Sequence, residues 1–327
     1  MPHGPLIDTH QHPVPDYYVR AMAAVGIAGS GENAWPEWSV ARQLELMDEV
    51  GIAATVQSIA SPGCWFGDNE QARRIARECN EGMAKLIADR PHRFGAFALL
   101  PLPDVEGAAR EAQYALDTLK LDGICLLTHA GPHHLGRPEE DELYIELDRR
   151  NAVVFLHPLR NQAQNVPAYS YPAGMTELVL DTTRAVHNML WNGTFAKFRN
   201  IRWIMPHGAG TVPFLAYRLR QMDHKRADKL IGGTVAATLR TFYYDVAEIC
   251  APAPLRALME VADPARIVFG SDFPFSRHLN PAQDVRNTIA GFETFQGWDS
   301  AARRGIESGK ALTLFPRFAT AVGSAQG

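Results

Sequence analysis

Five side chains suited to metal chemistry sit at the ends of short apolar runs: His10 and His12 after LIDT, His157 in FLHP, His207 in IMPHG and Asp272 in FGSDFP. On a strand, residues two apart point to the same side, so the His10 and His12 imidazoles can reach one ion. A lone His-x-His also occurs in wet strand ends, and it gains weight only from the other three. Three His and one carboxylate around an open position suit Zn²⁺ and are acceptable to Mn²⁺ or Fe²⁺. The residues alone leave His207 open as either a ligand or a general base.

These groups meet only if their strands share a face. Eight strand candidates begin at Leu6, Ile52, Arg93, Asp122, Ala152, Ile201, Thr241 and Arg266. They fall about 37 residues apart, room for one strand, one helix and their loops, so a closed (β/α)₈ TIM barrel is expected rather than an open sheet. All strand ends then open on one mouth, which gathers the five side chains from distant sequence. Helices fill the intervals: Ser39 is the expected N-cap of VARQLELMDEV, stopped by Gly51, and Asn69 that of EQARRIARECNEGMAKLIADR, stopped by Pro91. Residues 13–38 and 161–171 are too long for plain connections and are expected as inserted loops at the mouth.

The 327 residues are read as a single barrel domain spanning 1–327. A 46% hydrophobic content supports a sizeable core, and a net charge of −4 without a long basic run argues against a nucleic-acid partner. No apolar run approaches membrane-spanning length and no leader pattern opens the chain, so a cytoplasmic protein without a membrane partner is expected. Cys64, Cys79, Cys125 and Cys250 lack Cys-x-x-Cys spacing and read as reduced thiols.

The runs IDTHQH, FLHP, MPHGAGTVPF and FGSDFPF resemble the motifs of the amidohydrolase-related (amidohydrolase 2) decarboxylases, the family that includes aminocarboxymuconate semialdehyde and 6-methylsalicylate decarboxylases. Their order and spacing match over nearly the whole chain, down to SGKALTLF, and SPGCWFGD, ALDTLKLDGI and DTTRAVHNM resemble the methylsalicylate branch. The resemblance implies a distorted barrel of the metal-dependent hydrolase superfamily. One divalent ion, Zn²⁺ in the first instance and Mn²⁺ as the alternative, would be held by His10, His12, His157 and Asp272, with His207 as the catalytic histidine. Binuclear relatives use a carbamylated lysine at the end of strand four, but here Lys120 precedes that strand, which favours a single ion. His129, His133 and His134 follow the strand and read as a solvated loop.

The implied reaction is non-oxidative decarboxylation of a small aromatic, hydroxybenzoate-like or dienoic carboxylate. The carbon losing CO₂ must first be protonated or attacked, with a Lewis acid neutralising oxyanion charge. His207 and Asp272 are the candidate acids. Semialdehyde-type relatives place an arginine where this chain has Gln43, beside Arg42, which argues against the identical substrate. Arg160 is a carboxylate-binding candidate, and Arg226 matches an arginine contributed across a homodimer interface in those relatives. Trp65, Phe66, Tyr171, Phe273 and Phe275 lie in loops where flat faces suit a planar ring. Asp245, ending FYYDVA, reads as a supporting carboxylate. The rivals are a metal-dependent hydrolase of a lactone or amide using the same site, and a barrel that has lost catalysis.

Overall fold

The computed structural model describes residues 3–30, 33–159, 170–275 and 280–324. Eight parallel strands, β1 (Leu6–Gln11), β2 (Ile52–Ser58), β3 (Phe94–Leu99), β4 (Gly123–Leu127), β5 (Val153–His157), β6 (Arg202–Met205), β7 (Tyr243–Asp245) and β8 (Ile267–Val268), are hydrogen-bonded in chain order. The circle closes between β1 and the segment after β8. Thr9 N–H donates to the Phe269 carbonyl at 3.0 Å, Asp272 N–H to that of His10 at 2.8 Å, and His12 N–H to that of Phe273 at 2.7 Å. The expected (β/α)₈ barrel forms, each candidate run supplying one strand.

Both faces of these strands are covered, one by the interior and one by helices, which is why their sequences are near-continuously apolar rather than alternating. The longer helices are α1 (Asp16–Ala24), α2 (Val40–Val50), α3 (Asn69–Asp89), α4 (Val105–Gln113), α5 (Asp141–Arg149), α6 (Glu177–Asn192), α7 (Val212–Leu219), α8 (Pro252–Val261) and α9 (Pro281–Thr294). Ser39 caps α2 as expected, accepting Arg42 N–H at 3.2 Å, and Gly51 ends it in the left-handed region. The cap of α3 is a correction: Asp68 accepts Gln71 N–H at 3.0 Å, and Asn69 is already the first helical residue. The Asn69 side-chain oxygen is taken instead by the Trp65 indole N–H at 2.9 Å.

Ile7, Phe97, Cys125, Phe155, Ile204 and Val268 form one interior cluster with Ala311, Leu314, Phe315 and Phe318. The closing SGKALTLF segment is therefore a plug. It covers the N-terminal ends of the strands, where Arg317 donates to the Asp122 carboxylate at 2.8 Å and to the Pro91 and Phe94 carbonyls at 2.7 Å each. With that end sealed, chemistry has access only to the C-terminal ends. Residues 13–38 carry α1 and a two-residue ladder of Gly29–Ser30 with Asn33–Ala34, whereas 160–169, including Arg160, lie outside the described residues. Cys64, Cys79 and Cys125 are buried free thiols, and Cys250 is half-buried and also free.

Candidate metal centre

His10 and His12 leave the end of β1 on one side, their ring centroids 4.9 Å apart, and the His157 ring at the end of β5 lies 4.6 Å from His12 and 5.3 Å from His10. Each imidazole is fixed through Nδ1. His10 donates to Asp245 Oδ2 at 2.8 Å, His12 to the Ser58 carbonyl at 2.9 Å and His157 to the Pro158 carbonyl at 2.8 Å. With the Nδ1 atoms acting as donors, the three Nε2 atoms are left with lone pairs. His10 Nε2 and His12 Nε2 face each other at 3.1 Å, and the buried His157 Nε2 has no hydrogen-bond partner among the described residues. Asp272 completes the cluster, with Oδ1 at 2.9 Å from His12 Nε2 and 3.3 Å from His10 Nε2. Lone pairs converging with a carboxylate in a buried space call for a cation, and a divalent ion fits this donor set.

Asp245 and Asp272 join the metal cluster to His207. Asp245 is fully buried and its second oxygen accepts the His207 backbone N–H at 2.8 Å, so one carboxylate orients both His10 and His207. This agrees with the reading of Asp245 as a supporting group. His207 Nε2 sits 3.3 Å from Asp272 Oδ2. Both residues hold left-handed backbones, with φ of 51° at His207 and 65° at Asp272. Such strain is stored where surrounding contacts over-determine it. It also explains why β6 and β8 are shorter than their apolar runs: the chain leaves the ladder to aim these side chains. Two glycines permit the approach. A Cβ on Gly210 would lie 2.2 Å from the Val179 carbonyl oxygen, and one on Gly270 2.9 Å from His10 Cβ.

Burial pulls the His12 imidazole down, and pulls that of His157 well below its ordinary range, keeping both neutral as ligation requires. Burial also acts downward on His10, but the Asp245 and Asp272 carboxylates outweigh it and hold that imidazole up at about 10. At Asp272 burial raises the carboxyl, yet His10 and the hydrogen bonds from His10, His12 and His207 hold it well below the usual carboxylate range. A divalent ion must therefore displace a proton from the cluster. Its affinity is expected to rise with pH, about tenfold per unit for each proton displaced. Calorimetry in buffers of different ionisation enthalpy checks this, and binding without proton release would contradict it. In chelator-treated protein the His10 contribution to stability runs the other way, complete below pH 6.5 and lost as pH rises to about 10.

Among the aromatic candidates, the Phe275 ring lies 5.4 Å from that of His12. Phe273 is buried within the hydrophobic core, Trp65 and Phe66 pack beside the cluster containing Tyr18 and Ile59, and Tyr171 is 43% exposed, its hydroxyl 3.4 Å from that of Thr176. Arg226 stacks its guanidinium 4.9 Å above the Trp191 ring in the outer helical layer. Gln43 is fully buried between Trp38 and Gln11, whose amide donates to Asp8 at 2.7 Å. Lys120 is exposed before β4, at the end away from the cluster. The solvated-loop reading after β4 is corrected in part: His133 is exposed, but His129 and His134 are partly buried against Asp181. Sequence reasoning missed Asp181, although its motif DTTRAVHNM had been singled out; a carboxylate on the buried face of an amphipathic helix was the available signal.

Fold and site together define a (β/α)₈ barrel with a metal-binding cradle at the C-terminal ends of its strands. The amidohydrolase family model matches residues 7–317, and the chain belongs to that family. It is 32% identical to a 6-methylsalicylic acid decarboxylase of Penicillium expansum over 95% of this chain and 96% of the relative. A solved amidohydrolase II superposes with a TM-score of 0.87 at 28% identity, covering 95% of this chain and 99% of that one. A dihydroxybenzoic acid decarboxylase from a Polaromonas species, solved with bound manganese and an inhibitor, shares the fold with a TM-score of 0.79 at 21% identity, over 96% and 97% of the two chains.

Proposed function

We propose that this protein is a metal-dependent, non-oxidative decarboxylase of a small aromatic carboxylate, a hydroxybenzoate resembling methylsalicylate. The observation that carries the reading is the set of three fixed, converging imidazole nitrogens beside the His207–Asp272 pair: a cation cradle with a proton-handling pair at its edge. The decarboxylase relative, matched over nearly its whole length, favours carbon–carbon cleavage over hydrolysis of a lactone or amide by the same site.

His10, His12, His157 and Asp272 would hold the ion. Their imidazole-rich set suits Zn²⁺ and accepts Mn²⁺. When bound, the ion supplies a Lewis acid that neutralises charge on substrate oxygens. Phe275, beside His12, offers a flat wall for the ring, with Trp65, Phe66, Tyr171 and Phe273 as further candidates and Arg160 and Arg226 as candidate carboxylate partners. His207 and Asp272 hold a proton between Nε2 and Oδ2 and deliver it to the ring carbon bearing the carboxylate. The bond to the carboxylate then breaks, its electron pair restores the aromatic ring, and CO₂ leaves. Asp245 keeps His10 and His207 in register throughout.

The test is CO₂ release from a panel of hydroxybenzoates with metal-reconstituted protein in D₂O. CO₂ together with deuterium at the vacated carbon is the expected result. Ester or amide turnover without CO₂ release would overturn the reading in favour of the hydrolase.

No described helix is long and apolar enough to cross a membrane, and a cytoplasmic location is part of this reading. The protein is also read as a homodimer. Phe214 and Tyr217, three residues apart on α7, are each 84% exposed, and Trp191 is 40% exposed. An exposed aromatic face of this kind is the mark of a docking surface. A Phe214→Glu/Tyr217→Glu variant is expected to elute as a monomer by light scattering. A monomeric wild type with full activity would remove both the dimer and the shared role of Arg226.

A further inference from the structure

A second cluster of metal-competent side chains stands on the rim, apart from the centre described above. After β4 the chain turns back on itself, pairing His129–Ala130 antiparallel with His133–His134 around Gly131. The turn sets the His129 and His134 rings 5.7 Å apart, both facing Asp181 of α6. His129 Nδ1 lies 3.0 Å from Asp181 Oδ2, and His134 Nδ1 lies 3.7 Å from Oδ1.

Asp181 is fully buried, and among the described residues it has no lysine or arginine partner. Its Oδ2 accepts from the Thr128 hydroxyl and from Leu159 N–H at 3.3 Å, whereas the equally buried Oδ1 has no hydrogen-bond partner among the described residues. Arg184, on the same helix, is engaged by Glu177 at 3.2 Å. A buried carboxylate with one oxygen unpaired is costly unless a cation meets it. The ligand atoms of His129, His134 and Asp181 lie within 4.8 Å of one another. Two imidazoles and a carboxylate make a donor set suited to Zn²⁺.

We propose that His129, His134 and Asp181 form a second divalent-cation site of Zn²⁺ type, which clamps the hairpin after β4 to α6 at the mouth of the barrel. The occupant ties together segments some fifty residues apart, as Thr128 and Asp181 already do directly. Gly131, at the tip of the hairpin, packs against the Trp65 ring, so the clamp also steadies a wall of the mouth.

The test is zinc stoichiometry of the full chain after dialysis against Zn²⁺, read by plasma emission. Two equivalents are expected in the wild type and one in His129→Asn/His134→Gln. The complementary Asp272→Ala variant is expected to retain the rim equivalent, so that failure of the main centre and failure of this site are read separately. With Co²⁺ as the probe, the visible absorption of the rim ion is expected to disappear in the rim variant alone. A single equivalent in saturated wild type, or a second equivalent that survives in the rim variant, would overturn the proposal. A wild-type result of one needs no variant to fold.

Discussion

Asp272→Ala is expected to abolish measurable turnover, with kcat/KM falling by about 10⁴-fold. Roughly 10²-fold of this comes from weakened retention of the ion, and roughly 10²-fold from the lost partner in proton transfer. The two losses combine because one carboxylate faces in two directions, with Oδ1 towards His10 and His12 and Oδ2 towards His207. Metal analysis separates them. The ion of the main centre should be mostly lost at sub-stoichiometric supply and recovered in excess metal, without recovery of rate. Circular dichroism guards against simple unfolding, since alanine tolerates the left-handed backbone at φ 65° less well than aspartate does. Near-wild-type turnover would remove Asp272 from both roles.

His207→Asn is expected to reduce kcat by about 10²- to 10⁴-fold, the usual contribution of a positioned acid or base, with metal content unchanged and KM little altered. Asparagine is the informative replacement because it tolerates the left-handed backbone at φ 51° and keeps the N–H that Asp245 accepts. The imidazole and its proton-carrying Nε2 are removed, and the backbone contact stays. Loss of metal in parallel with rate would instead make His207 a ligand, the alternative that the residues alone left open. Unchanged kcat would exclude it from the chemistry.

The two variants differ in what tertiary structure adds to each residue. That His10 and His12 share a side follows from the two-residue period of a strand, and that His157, His207 and Asp272 join them follows from eight parallel strands ending at one mouth. Both were readable because period and count are properties of local pattern. The cap of α3 was misplaced by one residue, since Asp68 and Asn69 are equally suited by type and only the contact of Trp65 with Asn69 decides between them. The segment SGKALTLF was legible as a match but not as a plug, because its partners lie at the far end of the barrel.

The sequence by itself determined the barrel, the five candidate donors and the face on which they gather. For His10 and His12, tertiary structure alone decided which ring nitrogen points inward, because the Nδ1 partners are Asp245, 235 residues from His10, and a carbonyl of Ser58, 46 residues from His12. It likewise decided that Asp181 would meet His129 and His134, and that His207 would stop beside Asp272. Hydrogen bonds of this kind depend on strand register and on backbone left-handedness at single residues, both settled by packing across the whole barrel. Residue type and local spacing carry no record of either.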